Sequence, residues 1–290
     1  MGVMKCENLC KSYGKKTVLE NLNLTLESGK IYGLIGRNGA GKTTLLSIMS
    51  NQNPASGGMV TLDGENIWEN RKALDRICFA RELNINNESG LAGYTVKKYL
   101  NTAALYFSHW DKELADDLVK RFALDPKAKL LKLSKGMLSM VTIIVALASK
   151  AEFAFLDEPV AGLDVVAREE FYRLLLDEYT ESGRTFVIST HIIEEAADVM
   201  EEVIILDKGK ILRKQNTQEL VESARYVTGL AEEVDRAVEG LECHHVEKMG
   251  RSKGVTVLLK EKEALKENCE VTVQPVNLQK IFVAMCGEEG

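Results

Sequence analysis

The chain has 290 residues, 45% of them hydrophobic and 28% charged, a balance that suits one large globular domain with a smaller companion. Its 43 acidic against 37 basic side chains leave a formal net charge of -6, which argues against a nucleic-acid-binding surface. The best candidate for a membrane span, Val141 to Leu156, is broken by Lys150 and Glu152, and the N-terminus lacks the apolar core of a secretory signal, so a cytosolic protein is expected. The scattered cysteines read as reduced thiols, with Cys6 and Cys10 as half-buried strand residues rather than a metal pair.

In chain order, residues up to about Glu27 read as strands joined by turns, with Tyr13-Gly14 and Asn21 as breakers. Ile31 to Ile35 is short and apolar, a buried strand. It runs into Gly36-Arg37-Asn38-Gly39-Ala40-Gly41-Lys42-Thr43-Thr44, which fits the phosphate-binding pattern G-x-x-x-x-G-K-[ST]. Leu45, Leu46, Ile48 and Met49 then have helical spacing, so the loop lies between a strand and a helix. Its glycines let backbone N–H groups converge on phosphate oxygens, and the helix start adds the positive end of its dipole. Lys42 is placed to reach the β- and γ-phosphates, and Thr43 to offer its hydroxyl to Mg²⁺.

Val60 to Gly64 reads as a strand and turn, and about 83–150 as a helical segment, with Val96, Tyr99, Leu100, Ala103 and Ala104 on one face. Leu133-Ser134-Lys135-Gly136-Met137 introduces a long apolar helix, with Ser134 as N-cap and Leu133 packing on Leu138 as a staple. The plain reading is a well-capped buried helix. The functional one is an anion grip formed by Ser134 Oγ and the Gly136 N–H. Phe155-Leu156-Asp157-Glu158 closes an apolar strand on two carboxylates. In P-loop proteins the first of such a pair holds Mg²⁺, and the second can polarise a water. A helical stripe from Phe171 to Tyr179 ends at Gly183, strands follow at Thr185–Ile188 and Val203–Leu206, and a helix begins near Ile192. The alternation predicts an α/β fold with a mostly parallel sheet covered on both faces. After about Asn216 a small α+β appendage is expected, with a helix near 232–239 and strands near 255–259 and 271–273. His244-His245 reads as a surface pair facing opposite sides of a strand, and Glu288-Glu289 as a solvated tail.

Over about residues 3–215 the order of motifs resembles the nucleotide-binding subunit of an ABC transporter. Gly36 to Thr44 is similar to the Walker A loop, Leu133 to Met137 to the signature motif, and Ala154 to Asp157 to Walker B. Glu158 matches the catalytic glutamate, Ala161-Gly162-Leu163-Asp164 the D-loop, His191 the switch histidine, and Tyr13 the aromatic that stacks on adenine. The resemblance implies a P-loop NTPase core with an N-terminal antiparallel β subdomain and a helical subdomain. It divides the chain into an ATPase domain, 1–215, and an accessory domain, 216–290. It implies ATP and Mg²⁺ as ligands and a head-to-tail dimer in which each ATP lies between one Walker A loop and the partner's signature. It also implies a separate transmembrane permease on the inner face of the membrane, with export favoured by the form of the signature.

Two departures stand out. Glu82 occupies the place of a family Gln that contacts Mg²⁺ and the attacking water, and Lys135 and Met137 replace a Gly and a Gln of the signature. An ionised Glu can bind Mg²⁺ but cannot donate a hydrogen bond. Glu82 and Lys135 motivate one rival reading, an ATP-gated regulator that hydrolyses poorly, and an ATPase acting on ribosomes or chromosomes is a second. Against them stand intact Glu158 and His191, a single ATPase unit and no long heptad array.

Overall fold

The computed structural model describes residues 2–86, 90–260 and 262–287; Glu288 and Glu289 lie outside them. Strands β1 (Val3–Tyr13) and β2 (Lys16–Glu27) form an antiparallel hairpin. Asn8 and Asn21 both have φ of 48°, a left-handed conformation that Asn tolerates, and the ladder shifts register beside each. Asn21 is therefore a bulge inside β2 and not the end of a strand. Next come β3 (Ile31–Gly36), α1 (Lys42–Met49), β4 (Gly57–Leu62) and β5 (Glu65–Asn66), and β2-β1-β4-β5 make one antiparallel sheet.

After α2 (Arg71–Leu74) and β6 (Ile77–Arg81), the helical segment consists of α3 (Val96–Ala103), α4 (Lys112–Arg121) and α5 (Lys135–Ala148). The chain then alternates through β7 (Phe153–Asp157), α6 (Val165–Ser182), β8 (Thr185–Thr190), α7 (Ile193–Ala197), β9 (Glu202–Asp207) and β10 (Lys210–Asn216). The second sheet has the order β10-β9-β3-β8-β7-β6, parallel from β9 to β6 with β10 antiparallel at one edge. Every residue of β3, β7 and β8 is buried, as strands covered on both faces require. One core, with Leu156, Ile188 and Phe186, packs against α5 and α6; the other, with Leu34, Phe155 and Leu45, packs under the antiparallel sheet and α1.

The helix ends follow their cap chemistry. Ser134 Oγ accepts the Met137 N–H at 3.2 Å, Asp164 Oδ1 accepts the Ala167 N–H at 2.9 Å, and α6 stops at Gly183 with φ of 63°.

The C-terminal segment holds α8 (Thr217–Ser223), β11 (Ala224–Leu230), α9 (Ala231–Ala237), β12 (Glu242–Met249), β13 (Ser252–Leu258), β14 (Val271–Pro275) and α10 (Leu278–Cys286). Its sheet runs β12-β13-β11-β14. Leu220, Leu258, Leu278 and Ile281 share one apolar cluster with Ile35, Ile193, Val203 and Ile205 of the parallel sheet and its cover. His244 and His245 are half-buried rather than a surface pair. Their Nε2 atoms lie 3.0 Å from Glu242 and 2.9 Å from Glu247, across a bulge at His245.

Candidate nucleotide-binding and hydrolysis site

The phosphate-binding loop begins where β3 leaves the sheet centre. A Cβ at Gly36 would stand 2.4 Å from the Leu206 carbonyl oxygen, so only glycine lets the loop start against β9. Gly41 has φ of 110° and lies against Leu19 and Val18 of β2, which places the β1–β2 hairpin over the loop. Within the loop Arg37, Asn38 and Gly39 are exposed, Ala40 and Gly41 are buried, Thr43 is exposed and Thr44 half-buried. Lys42 is buried. Its Nζ donates to the Gly36 carbonyl at 2.7 Å and lies 3.9 Å from Glu158 Oε1. Burial pulls the Lys42 pKa down, and the nearby Glu158 and Asp157 carboxylates oppose that pull.

Asp157 ends β7 buried, with Oδ1 accepting a short hydrogen bond from Ser189 Oγ of β8. Glu158 follows in a left-handed conformation, φ 51°, fixed by its N–H donating to the Ser189 carbonyl at 3.0 Å. A non-glycine residue held there costs of order 1–3 kcal/mol and persists only where its surroundings over-determine it. The conformation turns the carboxylate out of the strand toward Lys42 and His191, whose Nδ1 lies 2.7 Å from Glu158 Oε2. Ser189 thus holds both carboxylate residues. It went unread in the sequence because its partners are 32 and 31 residues away, though a Ser-Thr-His strand end was the available signal.

The loop lysine, Asp157, Glu158 and His191 therefore converge. Tyr13 lies at the tip of the hairpin that covers Gly41, half-exposed, with Lys11 Nζ 4.8 Å from its ring centroid and its hydroxyl accepting from Asn53. Ser134 and Gly136 make no hydrogen bond to Lys42, Asp157, Glu158 or His191, and Gly136 packs instead on the D-loop that follows Glu158. A Cβ on Gly136 would meet the Gly162 carbonyl oxygen of the D-loop at 2.5 Å. Glu82 follows Arg81, which pairs with Asp157 across the β6–β7 ladder, and its carboxylate takes Lys135 Nζ at 3.1 Å, so the two departures from the family pattern form one ion pair. Both side chains are about half exposed, and a Glu82→Gln/Lys135→Gln double-mutant cycle is expected to give only about 0.2–1 kcal/mol of coupling, fading in molar salt. Undiminished coupling in urea unfolding at high salt would contradict that.

For a divalent ion, the groups beside the loop are oxygens: the Thr43 hydroxyl and the buried Asp157 carboxylate next to Lys42. Among the described residues no three His, Cys, Asp or Glu side chains gather into a metal cage. One carboxylate and a hydroxyl, with phosphates to complete the shell, is the donor set Mg²⁺ prefers, so the residues fit that ion.

A parallel sheet with a glycine-rich loop at the start of α1, an Asp-Glu strand end and a capped helix packed on the D-loop define an ATP-binding cassette. The ABC transporter family profile matches residues 19–161. The chain is 26% identical over 293 residues to the ABC transporter ATP-binding protein YtrB of Bacillus subtilis (strain 168), covering 98% of each. It is 32% identical to the bacitracin transport ATP-binding protein BcrA of Bacillus licheniformis, over 73% of this chain and 69% of that one. In fold it resembles the dimeric cassette MJ0796 in a post-hydrolysis state bound to ADP and Pi, with TM-score 0.63 and 24% identity over 74% of this chain and 98% of that one. The chain belongs to the ATP-binding subunits of ABC transporters. It binds ATP and hydrolyses it to power transport. Among the described residues no helix is long and apolar enough to cross a membrane.

Proposed function

We propose that two ATPase units, each spanning 1–215, close head to tail on the inner face of the membrane, and that closure drives export through a separate transmembrane permease. One observation carries the dimer: Ser134 and Gly136 head a capped helix whose near neighbours are Gly162 and Glu82, while Lys42, Glu158 and His191 converge elsewhere in the same chain. Two half-sites that do not meet within a chain meet between chains. Lys42 and the amides of Gly36 to Thr44 bind the phosphates, Tyr13 stacks on adenine, and the partner copy's Ser134 Oγ and Gly136 N–H grip the γ-phosphate. Glu158, its second oxygen already engaged by His191, orients or deprotonates the attacking water. Thr43 and Asp157 would hold Mg²⁺, which supplies charge neutralisation at the β- and γ-oxygens. The exporter-like signature, Leu133 to Met137, supports the direction of transport.

The permease is assigned to the cleft of about 970 Å³ between the parallel sheet and the helical segment, lined by Phe79, Leu91, Tyr94, Tyr99, Tyr106 and Phe107. Leu105 and Tyr106 at its rim are 83% and 75% exposed, more than a lone globular unit needs. Trp110 stacks on Phe107, with ring centroids 6.4 Å apart. Leu105→Asp with Tyr106→Arg is expected to abolish co-purification of the permease and its stimulation of ATP hydrolysis, leaving basal hydrolysis unchanged. Retained co-purification would contradict the assignment. The accessory segment, 216–290, packs on the ATPase core through Leu220, Leu258 and Ile281, which supports a role in stabilising or regulating it.

A further inference from the structure

The D-loop joins the signature helix to Glu158 directly, its Ala161 N–H donating to the Glu158 carbonyl at 3.1 Å, and Arg168 adds a second link from the D-loop to the helix after His191. On the signature side, Ser139 Oγ of α5 donates to the Ala161 carbonyl at 2.8 Å, and Gly136 packs on Gly162, so the D-loop moves with the signature helix. In the first turn of α6, Arg168 Nε donates to the Leu163 carbonyl of that D-loop at 3.0 Å. Its Nη1 donates to Glu195 Oε1 on α7 at 2.9 Å. Helix α7 follows His191 directly, and His191 engages Glu158. A guanidinium suits this place because its rigid fork serves two partners in fixed directions, which an ammonium point charge does not. The ion pair is only partly exposed, 23% for Arg168 and 36% for Glu195. One turn further on, Tyr172 is buried, so Arg168 lies at the edge of the core.

We propose that Arg168 is a positioning residue that couples the D-loop to the switch helix. Engagement of the partner's nucleotide by the signature face then biases the His191–Glu158 pair of the same chain. This rests on the head-to-tail dimer proposed above. Spatial continuity alone does not establish coupling, so the test is an energetic one.

The test uses the full chain with its permease and reads ATP hydrolysis against ATP concentration for wild type, Arg168→Gln, Glu195→Gln and the double variant. Each single variant is expected to lower kcat by about 2- to 30-fold, the range of 0.5–2 kcal/mol of coupling. The Hill coefficient should fall toward one while the Kd for ATP stays unchanged, a split that general loss of structure would not produce. The double variant should lose no more than the worse single. Arg168→Lys, which can keep Glu195 but not the Leu163 carbonyl as well, should remain impaired. Losses that multiply in the double variant, or a Hill coefficient that stays at its wild-type value, would overturn the proposal while leaving the dimer standing. A wild-type chain that hydrolyses ATP without cooperativity would remove the dimer reading and the proposal with it.

Discussion

Replacing Glu158 by Gln is expected to lower ATP turnover by about 10²–10⁴-fold while ATP still binds. The amide keeps the size of the side chain and the backbone hydrogen bond to Ser189 that holds the residue in its left-handed conformation. What it loses is the capacity to take a proton from water and the charge-assisted contact with His191, 2.7 Å away. Phosphate binding rests on Lys42 and the loop amides, which the substitution does not touch. Lys42 keeps its bond to the Gly36 carbonyl and loses only the competing carboxylate 3.9 Å away. Steady-state hydrolysis and equilibrium ATP binding on the same preparation check this. Unchanged turnover would remove Glu158 from the chemistry, and lost binding would mean that the residue shapes the loop.

Arg184→Met is expected to cost about 3–5 kcal/mol of stability, the cost of breaking a buried charged network. Arg184 is 5% exposed, and it closes the end of the signature helix. Its Nε donates to the Ala151 carbonyl at 2.7 Å, Nη1 to the Leu147 carbonyl at 2.8 Å, and Nη2 to the Ala146 carbonyl at 2.9 Å. These carbonyls lie at or just past the C-terminus of α5, where a helix has no internal donors to offer. Nη1 also pairs with Glu178 at 3.1 Å. Burial lowers the Arg184 pKa and Glu178 opposes the shift. Lys150 also holds Glu178, at 2.7 Å, so the carboxylate keeps one partner and the loss falls toward the lower end of the range. Urea unfolding at constant m measures it. A loss below about 1 kcal/mol would mean that water replaces the guanidinium at little cost.

The parts of this protein that were readable in its sequence are those whose chemistry is local. The loop from Gly36 to Thr44 announces itself because phosphate binding needs glycines, a lysine and a hydroxyl within nine consecutive positions. Ser134 and Gly183 were legible for the same reason, since a cap is made by residues three or four apart. Asn21 misled because the same left-handed tolerance serves a turn or a bulge, and only the partner strand decides which. Ser189, Arg168 and Arg184 act on partners distant in sequence, and no local pattern marks them. Glu82 and Lys135 were each visible as departures, but their pairing required the strand end and the signature to be seen together. In the C-terminal segment, β11, β12, α8 and α10 were missed. Strand β12 lacks a clean alternation, and α10 buries Leu278 and Ile281 against residues of the parallel sheet and α7 that its own segment does not reveal.

The head-to-tail dimer is the claim on which the chemistry depends, and light scattering of the Glu158→Gln chain with and without ATP and Mg²⁺ tests it most directly. The chain is expected to be a monomer without nucleotide, a dimer holding two ATP with it, and a monomer again when Ser134→Arg is added. A chain that binds ATP at saturation and remains a monomer would contradict it.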